Sequence, residues 1–156
     1  MSMIIGIDPG ISGAVAALDH NGSAAVFDMP VADRSVSGRL LWLALKDRHI
    51  ALCVVERVGA MPGQGVASTF RFGRGAGVVD GVLGALGAPF QYVAPGVWKR
   101  HFGLLKKPKD ASRLMALERF PNCANELKRK RDHGRAEALL IAAWGRSVLM
   151  KTGARQ

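Results

Sequence analysis

Met3-Ile4-Ile5-Gly6-Ile7-Asp8-Pro9-Gly10 is the stretch on which the fold turns. It is a short, continuous apolar run that ends in a carboxylate and is halted by a Pro-Gly turn. A run of this kind reads as a strand buried on both faces, and Pro9 and Gly10 stop it. Asp8 closes the strand at a place where a charge is costly without a partner.

Working outward, Gly13 to Leu18 and Ser23 to Asp28 are two further apolar runs joined by Asp19-His20-Asn21-Gly22. Asn-Gly between two such runs is a hairpin signal, so the first three strands are predicted to form an antiparallel meander. Ser37 to Lys46 carries Leu40, Leu41, Ala44 and Leu45 at helical spacing. Ile50 to Glu56 is a second buried strand ending in an acid. Gly59 to Gly65 holds too much Gly and Pro for regular structure. Val66 to Leu86 reads as a glycine-rich helix, Phe90 to Val93 as a strand, and Val97 to Phe102 and Lys109 to Phe120 as helices. Asn122 to Arg131 reads as a polar, basic loop and Gly134 to Met150 as a last helix. Without repeat or linker, this gives one mixed α/β domain over residues 1–156, a five-stranded sheet with helices on both faces. Open α/β sheets place their sites at strand ends such as Asp8 and Glu56.

The chain of 156 residues is 49% hydrophobic, which suits a globular core. Its apolar runs fall short of the roughly 20 residues a membrane helix needs. Met1-Ser2 leads directly into the first strand with no charged leader region, so the cytoplasm is the expected location. Cys53, inside an apolar strand, is expected to be a buried structural thiol, and Cys123 to lie in the polar loop.

Twenty-two Lys and Arg against twelve Asp and Glu give a net charge of +10. The first 45 residues hold only Arg34 and Arg39 of these bases. From Arg71 onward the bases cluster: Arg71 and Arg74, Lys99 and Arg100, Lys106, Lys107 and Lys109, Arg113, the run Lys128, Arg129, Lys130 and Arg131, then Arg135 and Arg146. Basic clusters on several separate elements point to a nucleic-acid footprint.

Against this background the acids stand out. Glu56 repeats the Asp8 pattern, an apolar strand ending in a carboxylate. Glu137 shares a helical stripe with Leu140, Ile141 and Trp144, so it is predicted to face the sheet. Asp132 and His133 stand at the head of the same helix; Asp132 is also a candidate N-cap. Carboxylates gathered from separate elements repel one another unless cations lie between them. Oxygen ligation suits Mg²⁺ or Mn²⁺, and two such ions suit in-line displacement at a phosphodiester.

These motifs resemble the RuvC-type Holliday junction resolvases, which have a ribonuclease H-like fold, over nearly the whole chain. Ile5-Gly6-Ile7-Asp8-Pro9-Gly10 resembles the first catalytic strand of that family, Val54-Val55-Glu56 its second acidic strand, and Ala136-Glu137-Ala138-Leu139 its terminal acidic motif. Val93-Ala94-Pro95-Gly96-Val97-Trp98-Lys99 and Lys109-Asp110-Ala111 resemble its DNA-contacting lysine segment. Trp98-Lys99 and Arg135-Ala136-Glu137 look more like the phage or prophage version than the cellular one. The resemblance implies a dimeric endonuclease of DNA recombination and repair. Asp8, Glu56, Asp132 and Glu137 would hold two Mg²⁺ or Mn²⁺ ions, and Lys99 and Lys109 would contact phosphates. Branched DNA would be cut to leave 5′-phosphate and 3′-hydroxyl ends. A nuclease of the same fold acting on flaps, forks or RNA–DNA hybrids is the alternative, and a non-catalytic branched-DNA-binding protein a further one.

The chain departs from the family pattern in two places. The family spaces its two terminal ligands three residues apart, and three before Glu137 is Gly134, which has no side chain to ligate; Asp132 or His133 must complete the set. The aromatic wedge that follows the second acid in the cellular family is also missing, leaving Met61, Phe70 or Phe72 to unstack a base. Gly73, Gly77, Gly81 and Gly84 place small residues along one helix face, a candidate dimer seam. Asp8-Pro9-Gly10 also resembles the phosphate-loop strand of actin-like ATPases, which need a second similar domain.

Overall fold

The structure, a computed structural model, describes residues 2–153. Met1 and residues 154–156, the ends of the expected 1–156 domain, lie outside the described residues. The opening run forms β1, Met3–Asp8, and the chain returns along it as β2, Ala14–Leu18, with Asp8 opposite Ala14. A turn with Gly22 at φ +90° follows, closed by the Asp19 carboxylate accepting from the Ser23 amide at 2.9 Å. β3, Ala24–Asp28, completes the predicted meander.

A small hairpin that the sequence does not announce comes next: β4, Val31–Ala32, and β5, Ser35–Val36. Its turn residues Asp33 and Arg34 both have positive φ, as a type I′ hairpin turn requires, but without the Asn-Gly or Asp-Gly pair that marks such turns. α1, Gly38–Leu45, is capped by Ser37, whose hydroxyl accepts from the Leu40 amide at 3.3 Å. β6, Ile50–Glu56, runs parallel to β1. α2, Val66–Leu86, ends on Gly87 in the left-handed conformation, the usual C-terminal stop. β7, Phe90–Val93, lies parallel to β6, and α3, Pro95–His101, and α4, Ala111–Arg119, follow.

The expected polar loop at Asn122 to Arg131 is instead mostly two 3₁₀ turns, Pro121–Leu127 and Lys130–Asp132. Cys123 and Leu127 are buried and tie the first turn to the core, and the Cys123 thiol donates to the Ala24 carbonyl at 3.4 Å. Cys123 is therefore a core residue rather than a loop residue. α5, His133–Gly153, ends the described chain.

The sheet order β3-β2-β1-β6-β7 puts β1 in the centre. Strand parity divides the core in two. Ile5, Ile7, Cys53 and Val55 pack with Leu41 and Leu45 of α1 and Val79, Val82 and Leu83 of α2. Ile4, Leu52 and Val54 face the other way, onto Leu139, Leu140 and Ile141 of α5, with Trp98 and Phe102 in the same layer. Helices thus cover both faces, as predicted. α5 crosses β1 at Gly6, where any Cβ would overlap the backbone of Ala138. Burial pushes the Cys53 thiol up to about 12, which makes it unreactive. Among the described residues, no helix is long and apolar enough to cross a membrane.

Candidate metal centre and nucleic-acid face

Side chains alternate along a strand, so Asp8 follows Ile4 and Gly6 onto the α5 face, and Glu56 follows Leu52 and Val54. β1 and β6 are parallel neighbours, with Gly6 beside Val54 and Ile7 beside Val55. Their C-terminal carboxylates therefore emerge together, under the first turns of α5. Glu137 reaches down from that helix, its side chain 15% exposed. Asp8, Glu56 and Glu137 each bring an oxygen within 4.8 Å of the other two.

Three carboxylates this close are electrostatically strained. Burial, then the charges of Glu137 and Glu56, push Asp8 up to about 8, against the opposing pull of Lys99 and Lys109. Burial also raises Glu56, countered in part by a hydrogen bond from Trp98. A divalent cation reverses this electrostatic logic, and an all-carboxylate donor set suits the hard ions Mg²⁺ and Mn²⁺. The residues present fit such an ion.

The residues around the trio fall into distinct groups. Arg57 does not pair with Glu56; its guanidinium lies over Tyr92 at 5.5 Å. The Trp98 indole N–H instead donates to Glu56 Oε2 at 2.6 Å, a contact with no counterpart in the sequence pattern. Lys99 Nζ is 3.8 Å from Glu137 Oε1. Asp132 stands outside the trio. It is buried and accepts from the Arg129 side chain at 2.7 and 3.0 Å and from the Arg129 amide at 2.8 Å. That hydrogen-bonded pairing holds Asp132 well below the usual carboxylate range. Arg135 grips Asp28 through two bonds of 2.6 and 2.7 Å, pinning the head of α5 to the end of β3. Gly134 serves close packing, since a Cβ there would lie 2.6 Å from the Ser12 carbonyl oxygen. His133, one turn before Glu137, lines the same cleft as Asp8 and Glu137.

That cleft, of about 390 Å³, also takes in Arg71, Phe72 and Lys109. A second, of about 350 Å³, adjoins it at Lys109 and Glu137 and carries Lys99, Lys106 and Lys107. A third runs past His133 with Arg129 and Arg131, and Arg74 joins Arg71 in a side cleft. Arg100, Lys128 and Lys130 are exposed but line none of these clefts. Of the wedge candidates, Met61 and Phe70 are 69% and 71% exposed. Phe72 instead lies against Gly10, where a Cβ would meet its ring at 3.0 Å.

A five-stranded mixed sheet in this order, with helices on both faces, is the ribonuclease H-like fold, which the chain shares with RuvC. T. thermophilus RuvC in complex with Holliday junction substrate superposes with a TM-score of 0.61 at 18% identity, over 90% of each chain. A Thermus thermophilus RuvC structure gives 0.62 at 18% identity, over 93% of this chain and 96% of that one. In sequence, the chain is 35% identical over 100 residues, 64% of its length, to the Holliday junction resolvase MOC1, chloroplastic, of Chlamydomonas reinhardtii. The chain spans only 11% of that protein. No family model matches the chain.

Proposed function

We propose that the protein is a divalent-cation-dependent endonuclease that resolves four-way DNA junctions. The observation that carries this reading is the convergence of Asp8, Glu56 and Glu137 at the meeting point of basic clefts. Two Mg²⁺ or Mn²⁺ ions would supply Lewis acidity at the scissile phosphate and a nucleophile at neutral pH. Asp8, Glu56 and Glu137 hold these ions. His133 completes the set more readily than Asp132, because it shares the Asp8 cleft while Asp132 is committed to Arg129. Lys99 and Lys109 flank the acids and bind the phosphates on either side of the cut. Lys106, Lys107, Arg71, Arg74 and Arg131 extend the backbone track, with Arg100, Lys128 and Lys130 at its margin. The products carry 5′-phosphate and 3′-hydroxyl ends.

The relatives support the choice of substrate: one is named for Holliday junctions and another was captured on one. Cutting two strands symmetrically calls for a two-fold dimer. The exposed α2 face of Gly73, Gly77, Gly81 and Gly84 suits its seam, because among the described residues a Cβ on any of these glycines would meet nothing within 4 Å outside the helix's own backbone. Met61 or Phe70 is then the wedge, being exposed where Phe72 is packed. The cytoplasm of a bacterial or phage-infected cell is the compartment that goes with this reading.

A substrate panel tests the proposal. With Mg²⁺ or Mn²⁺, the protein is expected to nick a synthetic four-way junction in paired, symmetric positions and to leave linear duplex intact. Equal cutting of four-way, three-way, flap and linear DNA would remove the resolvase assignment and leave a general nuclease.

A further inference from the structure

We infer that the buried indole of Trp98 orients Glu56 as a cation ligand, which makes Trp98 a positioning residue of the acidic centre. The inference rests on reading Asp8, Glu56 and Glu137 as a divalent-cation site.

Trp98 is fully buried in the layer between the sheet and α5. An indole has one polar atom and can only donate; here that atom donates to Glu56 Oε2 at 2.6 Å. Among the described residues, no other hydrogen bond reaches the Glu56 carboxylate. The contact is built into the topology. Glu56 pairs with Val93 in the β6–β7 register, the Arg57 amide donates to the Val93 carbonyl at 2.8 Å, and α3 begins two residues later at Pro95. The distance from Glu56 to Trp98 is therefore fixed by backbone pairing as well as by packing.

The chemistry of the donor matters. A neutral N–H fixes a carboxylate without cancelling its charge, whereas a lysine in the same place would compete with the cation. With Oε2 held, Oε1 keeps both lone pairs open. Ligating carboxylates are commonly held by such outer hydrogen bonds, and losing one costs about 10–100-fold in metal affinity or activity. The neighbouring residue differs: Lys99 lies at the edge of the centre, its Nζ 3.8 Å from Glu137 Oε1, and reaches a different acid. Successive residues of α3 thus touch two of the three acids.

Mn²⁺ binding to the full chain without DNA, followed by electron paramagnetic resonance, tests this. Trp98→Phe keeps most of the ring volume and removes the donor; its Mn²⁺ dissociation constant is expected to rise at least about tenfold, with junction binding in EDTA unchanged. Unchanged Mn²⁺ affinity in Trp98→Phe, alongside weakened affinity in Glu56→Gln and Asp8→Asn, would overturn the role of Trp98 and leave the cation site standing. If Glu56→Gln and Asp8→Asn bind Mn²⁺ as well as wild type, the cation site falls and the inference with it. Should Trp98→Phe fail to fold, wild-type protein decides. The Trp98 indole ¹⁵N–¹H signal, assigned by elimination with Trp42→Phe and Trp144→Phe, is expected to move on Mg²⁺ addition and to stay still in Asp8→Asn. A Trp98 signal indifferent to Mg²⁺ in wild type would contradict the proposal.

Discussion

At the scale of single residues, Asp8 carries the main electrostatic load. Its carboxyl is pushed up to about 8 by burial and by two neighbouring acids, whereas in the unfolded chain it titrates near 3.8. Between these values the folded state holds a proton that the unfolded state has lost, so this group makes stability fall as pH rises. Without divalent ions, wild type is therefore expected to lose thermal stability from pH 5 to about pH 8 relative to Asp8→Asn, at about 2–4 °C for each kcal/mol. Mg²⁺ should close the gap by stabilising wild type alone. Melting curves of the two proteins at several pH values check this, and parallel pH profiles would contradict it. The sequence alone singles out Asp8, Glu56 and Glu137, because an acid ending an apolar strand or lying on an apolar stripe breaks the pattern around it. It does not separate Asp132 from His133. Arg129 folds back onto Asp132 within one 3₁₀ turn, an arrangement without periodicity. Trp98 is hidden for a related reason, since its partner is set by the β6–β7 register.

At the scale of elements, α5 and α2 divide the work. α5 must approach β1 closely enough for Glu137 to reach Asp8, and Gly134 permits this beside the Ser12 carbonyl. Gly134→Ala should gain a little helix propensity but force α5 outward, a net loss of about 1–3 kcal/mol typical of overpacking. Chemical denaturation measures that loss, and cleavage should fall with it as Glu137 is displaced. On α2, Gly75 is buried against Val36 while Gly73, Gly77, Gly81 and Gly84 face outward. Gly77→Glu should therefore leave the folded chain intact and, if α2 is the seam, shift sedimentation from dimer to monomer. A monomeric wild type would dismiss the seam outright. Most elements are readable from pattern, and α2 and β7 fall on their predicted bounds. The β4–β5 hairpin escapes because its turn uses Asp33-Arg34, and the 3₁₀ turns because their burial rests on single side chains, Cys123 and Leu127 in the first and Asp132 in the second.

At the scale of the whole molecule, the chain carries a net charge of +10, and Arg71, Lys99, Lys106, Lys107 and Lys109 line the clefts that meet at Glu137. Binding to DNA should fall steeply with salt, by about 0.9 in the log–log slope for each phosphate neutralised. Replacing Lys106 and Lys107 with Ala should flatten that slope by about one for each lysine while leaving the preference for branched over linear DNA unchanged. Fluorescence anisotropy across a salt series reads both quantities. If Asp8, Glu56 and Glu137 hold the cations under which a DNA junction is cut, removing one carboxylate should abolish cleavage and spare binding. The single-turnover cleavage rate of a labelled four-way junction with Mn²⁺, for wild type and Asp8→Asn at saturating protein, decides this. Paired nicks from wild type, and a junction bound equally tightly but uncut by Asp8→Asn, are the predicted result; cleavage by Asp8→Asn at the wild-type rate would contradict it.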